Sequence, residues 1–168
     1  MICITLSGPP GGGKSSVGRV LEELLPAKRF DIVDFYEPGT DFSDITRWKA
    51  FLQLLSCTRQ ALIAGNTVLL EAFLFRSQRQ DAVTSLCRET SSRLFTVILT
   101  ARIDVLLERI KKRDVGHLYT TVTPSEVVQF VNSFKGVTAD LVIDTSDQPI
   151  SKVTSTIKEA LIQWKKKT

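Results

Sequence analysis

The segment LSGPPGGGKSS, residues 6–16, constrains the fold of this 168-residue chain more than any other part of its sequence. Gly8 is followed, after four residues, by Gly13, Lys14 and Ser15, which is the spacing of a phosphate-binding loop. Glycines let successive backbone N–H groups turn toward an anion. The lysine supplies a positive charge to the outer phosphates, and the serine hydroxyl can ligate Mg²⁺. The loop therefore predicts a site for a nucleoside triphosphate.

The sequence on either side of the loop fits a strand that leads into a helix. ICITLS reads as a buried strand, and SSVGRVLEELL reads as an amphipathic helix. A glycine-rich turn that matches by accident is the alternative, and it is expected in roughly one chain of this length in a few hundred. We therefore expect the whole loop to bind the nucleotide, through Gly8, Pro9, Pro10, Gly11, Gly12, Gly13, Lys14, Ser15 and Ser16.

Apolar runs and helical patterns alternate along the rest of the chain. The predicted strands are residues 2–6, 29–33, 67–70, 94–99 and 139–143. The predicted helices are residues 15–25, 43–64, 77–88, 103–113, 124–134 and 151–164. Strands that are apolar throughout must be covered on both faces, so the pattern predicts a parallel sheet in a three-layer α/β sandwich. In such sheets, ligands bind at the carboxyl ends of the strands.

Length and composition predict one small domain spanning residues 1–168. The 43% of hydrophobic residues fall in short runs, with neither a bilayer-spanning stretch nor an N-terminal leader, so we expect a cytoplasmic protein without a membrane partner. Cys3, Cys57 and Cys87 lie far apart in apolar segments and are expected to be buried thiols.

The net charge of +4 favours anionic ligands. Lysines 165–167 contribute much of that charge at one end of the chain, so a nucleic-acid partner is possible but not indicated. Nothing in the composition separates a monomer from a small homo-oligomer.

Asp34 is the first candidate for acid–base chemistry, because it follows the predicted second strand in FDIVDFYEPGT. A carboxylate at that rim can accept a proton from an attacking hydroxyl, orient it, or help to hold Mg²⁺. Capping of the following turn is the alternative role. Asp31 and Glu37 are weaker candidates, since alternation along the strand points Asp31 away from its neighbours and Glu37 lies further out.

Glu71 ends the third predicted strand, where phosphate-loop proteins usually carry an aspartate that assists Mg²⁺. It could act on the metal through water, bind a substrate hydroxyl, or be an ordinary carboxylate at the rim. Arg76 and Arg79 follow at the start of a helix, where cations are unfavourable unless an anion is near. The two arginines are therefore candidates to bind substrate, and a solvated surface pair is an equally good interpretation.

Arg109 and Arg113 project from one face at the end of the fourth predicted helix. Guanidinium groups there can neutralise charge on a transferred phosphoryl group and can stack on adenine. A basic helix end that complements the helix dipole is the alternative. After the fifth predicted strand, Asp144, Thr145 and Ser146 are polar groups before another helix, and a simple turn would account for them.

Taken together, five features resemble those of the small P-loop kinases, a family that includes zeta-toxin-like, chloramphenicol-phosphotransferase-like and gluconate- or shikimate-kinase-like proteins. The features are GPPGGGKS, the aspartate Asp34, the acidic tip EAF followed by Arg76 and Arg79, LLERIKKR, and LVIDTS. The resemblance implies a five-stranded parallel sheet in the order 2-3-1-4-5, ATP with Mg²⁺ as cofactors, and a short lid around residues 114–123. It also implies an adenine pocket near residues 144–146. Glu71, in place of the commoner aspartate, departs from the pattern.

These observations predict an ATP-dependent phosphotransferase that acts on a hydroxyl of a small molecule. Residues 8–16 would hold ATP, Ser15 would hold Mg²⁺ with Asp34 or Glu71, and Asp34 would activate the acceptor. Charge at the reacting phosphoryl group would be stabilised by Lys14, Arg109 and Arg113.

Two other functions stay open. A nucleoside, nucleotide or polynucleotide kinase would need a pocket that includes Tyr36, Arg47, Trp48 and Arg59. A nucleotide-dependent switch or binding protein would hydrolyse slowly and act through a partner.

Overall fold

The computed structural model describes residues 1–37, 43–112 and 122–167. Its one sheet has five strands in the order β2-β3-β1-β4-β5, and every neighbouring pair is parallel. The strands are β1 (Ile2–Ser7), β2 (Ala27–Asp31), β3 (Thr67–Glu71), β4 (Arg93–Thr100) and β5 (Leu141–Asp144). The α/β class and the strand order expected from the resemblance are confirmed.

The described residues also form six α-helices and one 3₁₀ helix. The 3₁₀ helix spans Ile32–Phe35. The α-helices are α1 (Lys14–Leu24), α2 (Asp44–Ile63), α3 (Ser77–Glu89), α4 (Ile103–Lys111), α5 (Pro124–Ser133) and α6 (Ile150–Lys166). Within the described residues, no helix is long and apolar enough to cross a membrane.

Two hydrophobic cores lie on opposite faces of the sheet. Ile4 and Leu6 of β1 pack with Val17 of α1 and Ile157 of α6, whereas Cys3 faces α2 and α3 on the other side. Because the central strands are covered on both faces, their sequences are almost continuously apolar. Among the cysteines, all three are free thiols: Cys3 and Cys87 are buried, and Cys57 is half-buried.

The second strand ends earlier than its apolar sequence predicts. The expected range was 29–33, but β2 stops at Asp31 and the chain turns into the 3₁₀ helix at Ile32. The side chain of Asp31 causes this turn, since its Oδ1 accepts a hydrogen bond of 3.2 Å from the backbone N–H of Val33. Asp34 therefore lies on an exposed helical turn beyond the strand, not at the strand tip.

Two other boundaries differ for identifiable reasons. The fifth strand begins at Leu141 instead of residue 139, because the Asp140 side chain accepts hydrogen bonds from both the backbone N–H and the hydroxyl of Thr96, each at 2.7 Å. The fourth helix is described as far as Lys111, and Arg113 and residues 114–121 of the expected lid lie outside the described residues.

Candidate nucleotide and acceptor site

The glycine-rich loop joins β1 to α1 in a conformation that only glycine adopts readily. Gly8 and Gly13 have φ angles of 145° and 95°. At Gly8, a Cβ atom would also lie 1.9 Å from the backbone oxygen of Leu99 in β4, whereas at Gly13 nothing lies within 4 Å. The loop is thus fixed in part by its packing on the sheet.

The first turn of α1 opens directly onto this loop. Gly13 is its N-cap residue, none of the described side chains caps the helix there, and its first turn carries no acidic residue. The backbone N–H groups and the positive end of the helix dipole therefore face the loop, which is the arrangement that binds phosphate.

The Lys14 side chain lies back along the loop. Its Nζ donates hydrogen bonds to the backbone oxygens of Gly8 at 2.8 Å and Pro9 at 3.0 Å. The ammonium group also lies 4.4 Å from the centre of the Phe73 ring, where it can make a cation–π contact. One fixed positive charge therefore stands at the mouth of the loop.

Asp31 forms the contact with Ser15 that the sequence analysis assigned to other carboxylates. The Ser15 hydroxyl donates a 2.8 Å hydrogen bond to Asp31 Oδ2. The expectation that Asp31 points away from its neighbours is wrong, because β2 ends at this buried residue and its side chain contacts Ser15 of α1. A hydroxyl and a carboxylate side by side are hard oxygen ligands of the kind Mg²⁺ prefers, so Ser15 and Asp31 fit a magnesium site.

Glu71 does not reach an open site. Its side chain is 0% exposed, and its Oε1 accepts a hydrogen bond from Arg29 Nε at 2.5 Å. Burial raises the pKa of Glu71 to about 7, the charge of Asp31 adds to the effect, and Arg29 opposes it. Helix α1 covers this carboxylate, since a Cβ atom at Gly18 would lie 1.8 Å from Glu71 Oε1. The expected roles of Glu71, on the metal through water or on a substrate hydroxyl, stay predictions.

A cleft of about 230 Å³ lies between the loop, α1 and the turn after β2. Its lining includes Lys14, Ser15, Arg19, Asp31 and Phe73. Asp34 follows the lining residues Ile32 and Val33, and it is exposed to solvent. The geometry leaves Asp34 accessible to a molecule bound beside this cleft, and its role as a base stays a prediction.

A second cleft, of about 560 Å³, lies on the other side of the loop. Arg109 crosses it, donating to Thr145 Oγ1 at 2.9 Å, to the Thr145 backbone oxygen at 2.7 Å and to the Gly11 backbone oxygen at 3.3 Å. Its guanidinium group thus lies in the wider cleft with Gln148 and Ile150, and does not line the Lys14 cleft.

The three polar residues after β5 have different environments. Thr145 is buried, and its hydroxyl donates to the backbone oxygens of Thr100 and Gly12. The Asp144 carboxylate accepts hydrogen bonds from the backbone N–H and the hydroxyl of Ser146, which lower the pKa of Asp144. Thr145 therefore belongs to the wide cleft, and the other two form the turn beside it.

The predicted arginine pair divides between the interior and the surface. Arg79 is 6% exposed, donates to the backbone oxygen of Phe73 at 3.4 Å and stands 5.1 Å from the Phe51 ring. Arg76 is exposed and pairs with Asp44 at 3.2 Å. Both line a cleft of about 450 Å³ between the starts of α2 and α3.

The half-buried Tyr36 is influenced by two arginines of this region. Burial raises the pKa of the Tyr36 hydroxyl, and the positive charges of Arg79 and Arg47 partly offset this effect. Two cations therefore act on one tyrosine immediately after the turn that carries Asp34.

Four site residues were not assigned a role from the sequence. Arg29 and Arg19 gave no spacing signal, and Phe73 could not be distinguished from a core aromatic residue. Asp31 was considered and ranked too low, although its position just before a change of backbone direction is typical of a capping residue that can also face a ligand.

Comparisons with known proteins agree with this description. No family model matches the chain. A gluconokinase of Arabidopsis thaliana is 26% identical over 124 residues, which is 66% of this chain and 66% of that relative. A solved gluconokinase of Sinorhizobium meliloti 1021 is 20% identical with a TM-score of 0.71, covering 96% of this chain and 92% of that one.

Two further solved structures share the fold. The APS kinase CysC of Mycobacterium tuberculosis, in complex with AMPPNP and APS, is 19% identical with a TM-score of 0.73 and covers 95% of this chain and 96% of its own. Shikimate kinase of Aquifex aeolicus vf5 is 18% identical with a TM-score of 0.64, covering 96% of each chain. These comparisons confirm the resemblance of the chain to the small P-loop kinases, and the solved structures show that it shares their fold.

Proposed function

We propose that this chain transfers the γ-phosphoryl group of ATP to a hydroxyl of a small acceptor that also carries a negative charge. The observation that carries the proposal is the common cleft of Lys14, Ser15 and Asp31, with the exposed Asp34 on the turn beside it. The kinase relatives support the same reaction class. The proposal includes a cytoplasmic enzyme that is a monomer or a small homo-oligomer.

The nucleotide would lie across both clefts. Backbone N–H groups of the loop and of the start of α1 would bind the phosphates, with Lys14 adding its charge to the outer ones. Arg109 would line the base and sugar in the wider cleft, beside Thr145. Arg113 stays a proposed source of charge at the reacting phosphoryl group.

Ser15 and Asp31 would hold Mg²⁺, which when bound neutralises charge on the β- and γ-phosphates. This assignment replaces Glu71, because α1 covers the Glu71 carboxylate. It also leaves the exposed Asp34 available for the acceptor.

In the transfer step, the acceptor oxygen forms a bond to the γ-phosphorus while the bond from that phosphorus to the bridging oxygen breaks, and ADP leaves. The acceptor hydroxyl gives its proton to the Asp34 carboxylate. Asp34 is exposed on the 3₁₀ helix that follows the cleft residues Ile32 and Val33, so a bound acceptor can come within hydrogen-bond reach of it.

A negatively charged acceptor is proposed because cations line its side of the site. Arg79 and Arg47 act on Tyr36. Arg79 also lines a cleft with Lys49 and the Arg76–Asp44 pair, so positive side chains outnumber the one carboxylate there. Two of the similar proteins are named gluconokinases, and gluconate is a sugar acid. Their names support a polyhydroxy acid as the acceptor class.

A matched panel of acceptors tests the proposal. ADP release by the purified chain with Mg²⁺ and ATP is measured with gluconate and with sorbitol, which differ in a carboxylate, and with nucleosides, nucleotides and an oligonucleotide 5′-hydroxyl. We expect stimulation by sugar acids above all others. Equal stimulation by sorbitol contradicts the anionic class. Stimulation only by nucleosides, nucleotides or the oligonucleotide favours that kinase class, and slow hydrolysis without stimulation favours a switch protein.

A further inference from the structure

Arg29 lies at the centre of four side chains beneath the phosphate-binding loop. Arg29 and Asp31 alternate on β2 and point to the same face of the sheet, and Glu71 of β3 is the neighbour of Asp31 in the strand ladder. Ser15 of α1 completes this group. We name Ser15, Arg29, Asp31 and Glu71 the Arg29 cluster.

The contacts within the Arg29 cluster form one chain. Arg29 Nε donates to Glu71 Oε1 at 2.5 Å, and Arg29 Nη2 contacts Asp31 Oδ2 at 3.2 Å. The same Asp31 oxygen accepts the Ser15 hydroxyl at 2.8 Å. A single guanidinium group therefore holds the carboxylate that orients the serine.

The cluster is largely shielded from water, so its charges interact strongly. Side-chain exposures are 15% for Arg29, 9% for Asp31 and 0% for Glu71. Arg29 therefore places its charge between two carboxylates, and without it Asp31 Oδ2 and Glu71 Oε1 would both lose their guanidinium partner.

The helix that carries Ser15 packs directly on this cluster. A Cβ atom at Gly18 would lie 1.8 Å from Glu71 Oε1 and 3.0 Å from Arg29 Nε. Glycine is unfavourable inside a helix, so its presence in α1 is explained by the close approach of the ion pair. The Arg29–Glu71 pair thus sets how near α1, with Ser15, lies to β2, with Asp31.

We propose that Arg29 is a positioning residue, which holds Asp31 against Ser15 so that the two oxygens can bind Mg²⁺ together. This proposal rests on the proposed Mg²⁺·ATP site. Arg29 acts through Asp31, and the second carboxylate, Glu71, fixes the direction of its guanidinium group.

The test compares the ATP dissociation constant measured by calorimetry in excess Mg²⁺ with that measured in EDTA. In R29M we expect Mg²⁺·ATP affinity to fall by about tenfold or more, in the range found when groups that orient metal ligands are removed. Affinity for ATP in EDTA should change little. R29K should lose less Mg²⁺·ATP affinity than R29M, because its ammonium group keeps the positive charge. It should still lose some, because an ammonium group cannot bridge two carboxylates as the planar guanidinium group does.

A matched control separates positioning from folding. K28M replaces the exposed neighbouring residue of β2 and should keep the full gain in ATP affinity from Mg²⁺. If R29M does not fold, R29K decides the question.

An R29M or R29K chain that is less stable to heat but keeps the full gain in affinity from Mg²⁺ would overturn the proposal, because Arg29 would then be structural only. Failure of the wild-type chain to bind ATP in either buffer would instead overturn the proposed function.

Discussion

The proposed nucleotide end and the proposed acceptor end of this site are held in different ways. At the nucleotide end, backbone groups and buried contacts fix the geometry: Gly8 packs on Leu99, and Arg109 joins Gly11 to Thr145. At the proposed acceptor end, side chains from the starts of α2 and α3 line a cleft in which the Arg76–Asp44 ion pair is exposed.

This difference indicates how the two ends can vary. Exposed ion pairs contribute little to folding, so residues at the acceptor end can change with the acceptor. Residues at the nucleotide end are tied to the sheet and cannot change independently of it. We therefore expect substitutions at the acceptor end to change turnover, and substitutions at the nucleotide end to change nucleotide affinity or stability as well.

The largest effect is expected for Asp34→Asn at the acceptor end. Loss of a positioned base should lower acceptor-stimulated turnover by about 10² to 10⁴. Mg²⁺·ATP affinity should change little, because Asp31 and not Asp34 contacts Ser15. Both quantities are measured on the same preparation, with Glu37→Gln, also exposed and three residues further along, as the control. Unchanged turnover in the Asp34 variant would remove this residue from the mechanism.

Lys14→Ala tests the nucleotide end. Removing the one lysine of the loop should lower turnover by about 10² to 10³, as when a single stabilising donor is lost. ATP affinity should also fall, unlike in the Asp34 variant. Turnover and ATP binding are measured beside Lys112→Ala, which removes an exposed lysine paired with Glu108. A Lys14 variant that binds and reacts like the parent would show that phosphates bind elsewhere.

Glu71 makes folding depend on pH at the nucleotide end. Its pKa rises from 4.5 to about 7 on folding, so the folded chain binds a proton more tightly than the unfolded chain does. Stability from this group is full at low pH and is lost as pH rises through about 7, a change of about 3 kcal/mol at most.

The measurement is urea unfolding of the parent and Glu71→Gln between pH 5 and pH 8. As pH rises, the unfolding free energy of the parent should fall relative to that of Glu71→Gln. A difference that stays constant over this interval would mean that the Glu71 carboxyl titrates in its ordinary range.

The smallest effect is expected for Arg109→Ala. Loss of a hydrogen bond from its guanidinium group to ATP should weaken ATP binding by about tenfold, a typical cost for a hydrogen bond to a charged group. The KM for the acceptor should not change, since Arg109 does not line the acceptor side. Steady-state kinetics with both substrates varied measures this, and Arg102→Ala, an exposed arginine paired with Asp147, is the control. A rise in acceptor KM alone would place Arg109 at the other end.

The sequence predicts the glycine-rich loop and the strand and helix around it because these signals are local. The spacing from Gly8 to Ser15 and the strand and helix around it are continuous in the chain, and the position of Arg109 on the fourth helix follows from helical periodicity. The sheet order followed from family resemblance, and the structure confirms it.

The Arg29 cluster could not be predicted because its contacts join residues far apart in the chain. Ile32 and Val33 continue the apolar run of β2, so the pattern hides the end of the strand at Asp31. Glu71 reads as a rim carboxylate until Arg29 and α1 are placed around it. The acceptor cleft depends in the same way on how α2 and α3 meet, which no spacing encodes.

The two glycines at the ends of the loop would respond differently to selection. In a library screened only for soluble, folded protein, position 8 should stay glycine, because any Cβ would meet the backbone of β4. Position 13 has open space and a left-handed backbone, so asparagine should be recovered there. An invariant Gly8 among related chains would therefore indicate only that the sheet is intact. Variation at Gly13, which the fold alone tolerates, would be the better indication that phosphate binding has been lost.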